Sequence, residues 1–263
     1  MRNFLTGSLV AVAVTMALVC SSVALAQTGQ QSATQKSPAA PAPKRDLSGV
    51  WQYQGFGGAE GTAPEKDMPP MTPWAKSRFD LEKPGYGSRA IPGGNDPILQ
   101  CDPMGFPRIM FMPLPMEFVQ TPGRIFEFWE REHEYRIIRT DGSPLPTDPD
   151  PAWFGYAIGH WEGDYTLVTE SAGFNDKTWL GPYGYPHSEQ MRVAERYQRT
   201  DRDTIQYDIT VTDPMAYTKP IVAPRRYFKL RPGSELEELP CVWSEENSFA
   251  KRIRDPAAAK PAK

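Results

Sequence analysis

Residues Thr204–Thr212 read TIQYDITVT. In an extended chain Ile205, Tyr207, Ile209 and Val211 point to one side, and Gln206, Asp208, Thr210 and Thr212 to the other. Such alternation belongs to a strand with one face on a core and one on solvent. Immediately upstream, Arg199-Thr200-Asp201-Arg202-Asp203 reads as a turn, and Gln190–Arg199 as the strand before it.

The same pattern extends in both directions. Tyr165–Ser171 and Gly155–Trp161 form a hairpin across Glu162-Gly163-Asp164. Tyr135–Thr140, Ile125–Arg131 and Met116–Gln120 precede it, with breaks at Asp141-Gly142 and Thr121-Pro122-Gly123-Arg124. Val222–Leu230 follows downstream, and Leu47–Gln54 makes a strand at the start. About nine strands joined mostly by short turns predict a mainly β domain, an antiparallel barrel or sandwich. Helical signal is thin. Thr72-Pro73-Trp74 predicts a capped helix running to Glu82, and Ser244–Ile253 a second, with acids in its first turn and bases in its last. Gly55–Pro115, dense in Gly and Pro, reads as a long excursion that wraps the sheet.

The flanks set the compartment. Arg2, the apolar run Leu9–Val19 and Ala24-Leu25-Ala26 have the form of a secretory signal peptide over residues 1–26, its core too short for a membrane span. Residues 27–45 are polar and Ala/Pro-rich, a disordered linker by composition, and 256–263 form a similar tail. A single domain is expected over 46–255, in the periplasm or outside the cell. No membrane span remains after signal cleavage. A net charge of −3 with scattered bases gives no nucleic-acid signal. Cys101 and Cys241 survive cleavage, and in an oxidising compartment an even pair reads as a disulfide. Two separately buried thiols are the alternative.

Gly49-Val50-Trp51, just after the leader, resembles the Gly-x-Trp that opens lipocalin and wider calycin barrels. The resemblance implies a single barrel of about 8–10 strands. It also implies a Trp51 that closes the base against a basic residue of a late strand, for which Arg225 and Arg226 are the candidates. The chain is also similar to a broad set of uncharacterised secreted bacterial proteins that open with Asp-Leu-Ser-Gly-x-Trp and carry a Trp-Glu-Gly-Asp hairpin. Here these are Asp46–Trp51 and Trp161–Asp164.

Chemistry concentrates in Gly173–Glu189, GFNDKTWLGPYGYPHSE, too long for a hairpin turn and too aromatic for disorder. His187 is its only side chain that titrates near neutrality unaided, with Asp176 or Glu189 to orient it and Tyr183 or Tyr185 to donate a proton. Phe174, Trp179, Trp161 and Trp129 offer stacking walls, and Asn175 a polar contact. Glu195 interrupts the apolar row Met191, Val193, Tyr197, so it is either paired with a cross-strand Arg or functional. Glu170 and His160 pose the same question on neighbouring strands. His133 and Arg136, in a charged hairpin, would bind a polar end of a substrate at a barrel mouth. There is no HxH, HExxH or CxxC spacing for a metal, no G-x-S-x-G elbow and no Gly-rich phosphate loop. No cofactor is expected.

These features suit a secreted, cofactor-independent acid–base enzyme (a lyase, isomerase, cyclase or glycoside-type hydrolase) acting on a small neutral cyclic, aromatic or sugar-like molecule. The alternative is a non-catalytic, lipocalin-like binding protein for an apolar small molecule. A structural envelope domain is the third alternative.

Overall fold

The structure, a computed structural model, describes residues 41–54 and 61–258. The expected signal peptide, most of the expected linker, residues 55–60 and the last residues of the tail lie outside the described residues.

Ten strands build the domain. They are β1 (Gly49–Tyr53), β2 (Pro115–Thr121), β3 (Arg124–Trp129), β4 (Tyr135–Arg139), β5 (Tyr156–Glu162), β6 (Thr166–Ala172), β7 (Arg192–Asp201), β8 (Thr204–Thr212), β9 (Ile221–Val222) and β10 (Arg226–Leu230). They neighbour one another in chain order from β1 to β9, β10 flanks β1, and β10 also pairs with β8. Strands β1–β8 and β10 thereby close into a nine-stranded barrel, with β9 as an extra strand on β8. Closure leaves the ring without a free edge.

The run expected as one strand over Val222–Leu230 is split. β9 pairs with Thr210 and Val211, and β10 with Thr204–Tyr207, along the same β8. Pro224 falls in the break, where a missing N–H cannot serve a ladder. The wall departs from the expected antiparallel order at one place: β4 and β5 run parallel and share only the register pairs Ile138↔Ala157 and Arg139↔Ile158. Residues 140–155 make this possible, because a connection that long can carry the chain back to the end it came from.

The alternating residues of β8 point inward as expected, with Ile205, Tyr207 and Val211 fully buried. Trp51 is fully buried in the same core and donates its indole N–H to Leu47 O at 2.7 Å. Its basic neighbour is Arg199 of β7, 5.0 Å from the ring, rather than Arg225 or Arg226. Arg225 points outward to Asp208, and Arg226 lies inside over Tyr53 and Phe111.

The excursion contains α1 (Pro73–Phe79), capped by Thr72 with Pro73 in its first turn as expected, though it stops short of Glu82. Its later part, Met104–Phe111, buries Met104, Phe106, Ile109, Met110 and Phe111 against the barrel. The Cys101–Cys241 disulfide, with Cα atoms 5.5 Å apart, ties it to the segment before α2 (Trp243–Phe249). No helix among the described residues is long and apolar enough to cross a membrane.

Candidate functional site

The barrel interior is not uniformly apolar. Glu127 on β3 and Arg136 on β4 are direct cross-strand partners, and both side chains turn inward. Arg136 Nε donates to Glu127 Oε2 at 2.7 Å, and Nη2 donates to Glu195 Oε1 at 2.8 Å and to Tyr197 Oη at 2.9 Å. Glu195 also accepts from Tyr197 at 2.5 Å, Tyr207 at 2.9 Å and Thr169 at 2.8 Å. Five strands, β3, β4, β6, β7 and β8, thus contribute to one sealed cluster. Phe106 covers it, its ring 3.9 Å from the Arg136 guanidinium. Gly105 lets the excursion come this close: a Cβ there would stand 2.6 Å from Thr178, and its φ of +72° suits glycine.

One guanidinium faces two carboxyl groups in a dry interior. Burial pushes Glu127 up to about 7, with Arg136 opposing the shift and Glu195 adding to it. Burial alone would make Arg136 easier to deprotonate, but the two carboxylates hold it well above its ordinary value. Tyr197 and Tyr207 are likewise raised, first by burial and then by these carboxylates, so they act as neutral donors.

Directly outside this cluster lies a cleft. Where β4 diverges from β5, Tyr135–Ile137 faces Ala152–Ala157 across a space of ≈ 510 Å³. Tyr135, Ile137, Trp153, Phe154 and Tyr156 supply its apolar walls, and Arg124 and Arg139 its polar ones. Phe154 stacks on the buried Trp129 at 5.3 Å, and Trp153 O accepts from Phe106 N at 3.2 Å, so the floor is packed onto the core. Arg136 lies in the strand that forms the cleft wall, but its side chain turns away from the cleft into the cluster.

The loop 173–189 starts beside this cleft. Ala152 pairs with Phe174, donating to Gly173 O and accepting from Asn175 N at 2.9 Å each. Lys177 lies 5.7 Å from the centre of the Trp153 ring. A second space of ≈ 520 Å³ lies at the loop's base, lined by Gly173, Phe174, Glu189 and Met191 among others. Beyond its base the loop packs under the excursion: Leu180 O accepts from Thr62 N, and Tyr185 stacks on Phe79 at 4.8 Å. Phe174, Trp179 and His187 are almost completely buried, because aromatic rings at this density are stabilised by removal from water.

His187 Nε2 bonds to Thr178 Oγ1 at 2.7 Å, while Nδ1 meets no hydrogen-bond partner. Burial lowers its pKa, with Asp213, then the Ser188 backbone and then Asp176 pulling the other way. Asp176 instead pairs with Arg78 at 3.3 Å, and Asn175 Oδ1 accepts from Lys177 N at 3.1 Å. Tyr183 is half-buried in the same packing, and Trp161 packs against the core from β5. His133 is exposed in the β3–β4 turn, where it and Glu132 have φ of 53° and 56°. Beside it burial, and secondarily Glu132, pushes Glu134 up to about 8. Glu170 and His160 are exposed on the barrel's outside.

Of the residues singled out by sequence, the structure joins Glu195 to Arg136, and through Phe106 to Phe174, whose ring lies 6.1 Å from that of Phe106. The His187 group lies elsewhere and lines neither space. Sequence reasoning overlooked Glu127, although it interrupts Ile125 and Trp129 as Glu195 interrupts its own row. It also overlooked Trp153, Phe154 and Tyr156, which read as loop and strand start. Among the described residues no group of three His, Cys, Asp or Glu could hold a metal ion. Neither a scan of protein-family models nor a search of curated proteins gave a match to this chain.

Proposed function

We propose that this protein is a small-molecule-binding barrel that takes an apolar, ring-bearing ligand in the cleft between β4 and β5. The observation that carries the reading is the cleft itself. Its ≈ 510 Å³ is bounded mainly by aromatic side chains, at the one place where the barrel wall is parallel and only two residue pairs long. A space of that size with apolar walls and a few convergent polar groups is the usual form of a ligand site. The barrel interior, by contrast, is occupied by buried rings, by the Arg136 cluster and by Arg226. A secreted location belongs to this reading, supported by the Cys101–Cys241 bridge. Titration with N-phenyl-1-naphthylamine, a neutral probe that fluoresces when desolvated, tests it. The probe should bind, and Trp153→Ala should weaken it at least several-fold without changing the melting temperature much. Unchanged affinity in that variant would sink the proposal.

One observation favours a second reading, acid–base chemistry. Glu127 is held near neutrality just behind the cleft wall, where a proton carrier would be needed. Arg136, which bonds to Glu127, would position that carboxyl. Turnover lost in Glu127→Gln with ligand affinity intact would establish this reading over simple binding.

A further inference from the structure

We infer that the ligand of the seam cleft carries a negative charge, read by Arg124 and Arg139; this rests on the binding reading above and names its ligand class. The two arginines are direct cross-strand partners on β3 and β4, and both line the cleft. Like charges placed opposite one another destabilise a sheet unless something neutralises them. Neither arginine forms an ion pair among the described residues. Arg139 Nη2 donates to Pro144 O at 3.0 Å, a neutral acceptor. An acid close by in sequence, Asp141, feels Arg139 but has Oδ1 engaged by Ser143 N at 2.9 Å and by the Ser143 hydroxyl.

The wider surroundings point the same way. No Asp or Glu lines the cleft, and Lys177 adds a further cation over Trp153. This occurs in a chain whose net charge is −3, so the cleft is a local positive focus on an acidic molecule. Guanidinium groups have the fork geometry that matches carboxylate, sulfonate or phosphate oxygens. The aromatic row continues from the cleft along the outside of the barrel, with Phe128 5.7 Å from Tyr135 and 6.0 Å from Phe126. A planar or fused-ring body would lie along this row with its acid group at the arginines. The ligand class is therefore an aromatic or polycyclic acid.

A matched pair of probes tests this on the full chain. 1-Anilinonaphthalene-8-sulfonate has the ring system of N-phenyl-1-naphthylamine plus a sulfonate. The wild-type protein should bind the sulfonate more tightly, with an advantage that shrinks as ionic strength rises. In Arg124→Gln/Arg139→Gln the sulfonate should lose about tenfold or more in affinity, as expected for charge-assisted bonds, while the neutral probe should lose far less. The double substitution removes a like-charge contact from the surface, so the fold should persist, which the melting temperature checks. Equal affinity for both probes in the wild type, or a sulfonate affinity unmoved in the double variant, overturns the charge inference and leaves the binding reading standing. Failure of both probes to bind overturns the binding reading itself.

Discussion

The barrel wall is built in two ways. Between β7 and β8 the register runs from Arg192↔Thr212 to Asp201↔Thr204, and the inward side chains are aromatic or aliphatic apart from Glu195 and Arg199. Between β4 and β5 the ladder has two pairs, the direction is parallel, and packed aromatic side chains replace hydrogen bonds. The first region shows how much regular structure this sequence can support. The second shows where it gives that up, and there the aromatic rings, three arginines and a space of ligand size coincide. The comparison suggests that the seam is specialised and the β7–β8 wall is scaffold.

The harshest way to break the contrast is Arg136→Met, because Arg136 belongs to both regions. It would leave Glu127 and Glu195 buried without their cation, at a cost of about 3–5 kcal/mol in urea unfolding. A triple variant that also replaces both glutamates by leucine should recover only part of that loss, since the buried charges go but the Tyr197, Tyr207 and Thr169 hydroxyls lose their acceptor. If the single variant is as stable as the wild type, the cluster does not hold the seam to the far wall. Next in size, Ile205→Ala in the scaffold should cost about 3 kcal/mol through the cavity it leaves. Ile137→Ala at the cleft should cost under about 1 kcal/mol. Probe affinity should respond in the opposite order, falling with Ile137→Ala and holding with Ile205→Ala.

A pH titration sharpens the comparison further. Glu127, at about 7 when folded, sits above the ordinary carboxyl value, so the folded chain holds this proton more tightly than the unfolded one. Its contribution to stability is therefore fully present at acid pH. It declines as pH rises from the ordinary carboxyl range through about 7, and is level above that. Glu134 extends the decline to about 8. Glu127→Gln should flatten the lower part of the slope, and Glu134→Gln the upper part; stability curves identical to wild type would contradict these assignments. The smallest effect concerns the loop. Thr178→Val removes the hydrogen bond to His187 Nε2 and should cost about 1 kcal/mol, leaving probe affinity unchanged.

What the sequence disclosed follows from what local pattern can encode. The alternation in Thr204–Thr212 was legible because each residue's facing depends only on its neighbours. The cysteine pairing was legible because only two cysteines follow the leader. Glu195 was legible as an acid in an apolar row, but Arg136 as its partner was not, since β4 and β7 meet across the barrel rather than along it. The basic residue beside Trp51 fell to Arg199 rather than to Arg225 or Arg226 for the same reason: facing across a closed ring is set by register and strand count together. The seam was hidden because a parallel pairing has no turn to announce it, and its floor, Ala152–Gly155, has no period. Aromatic density drew attention to 173–189, yet in the structure it stabilises packing under the excursion as much as it flanks any cleft.

Ring closure also constrains when this protein can form. Trp51 completes its ladder on Leu230, and β8 meets β10 rather than stopping at β9. A chain made from its N-terminus cannot finish the barrel until residue 230 is available. Until then β1 and β8 both present open edges, each able to pair with another copy. Long-range pairing of this kind is slow. The interval between synthesis of β8 and arrival of β10 is therefore when this chain is most exposed to aggregation, and a cell that makes it must keep that interval short or occupied.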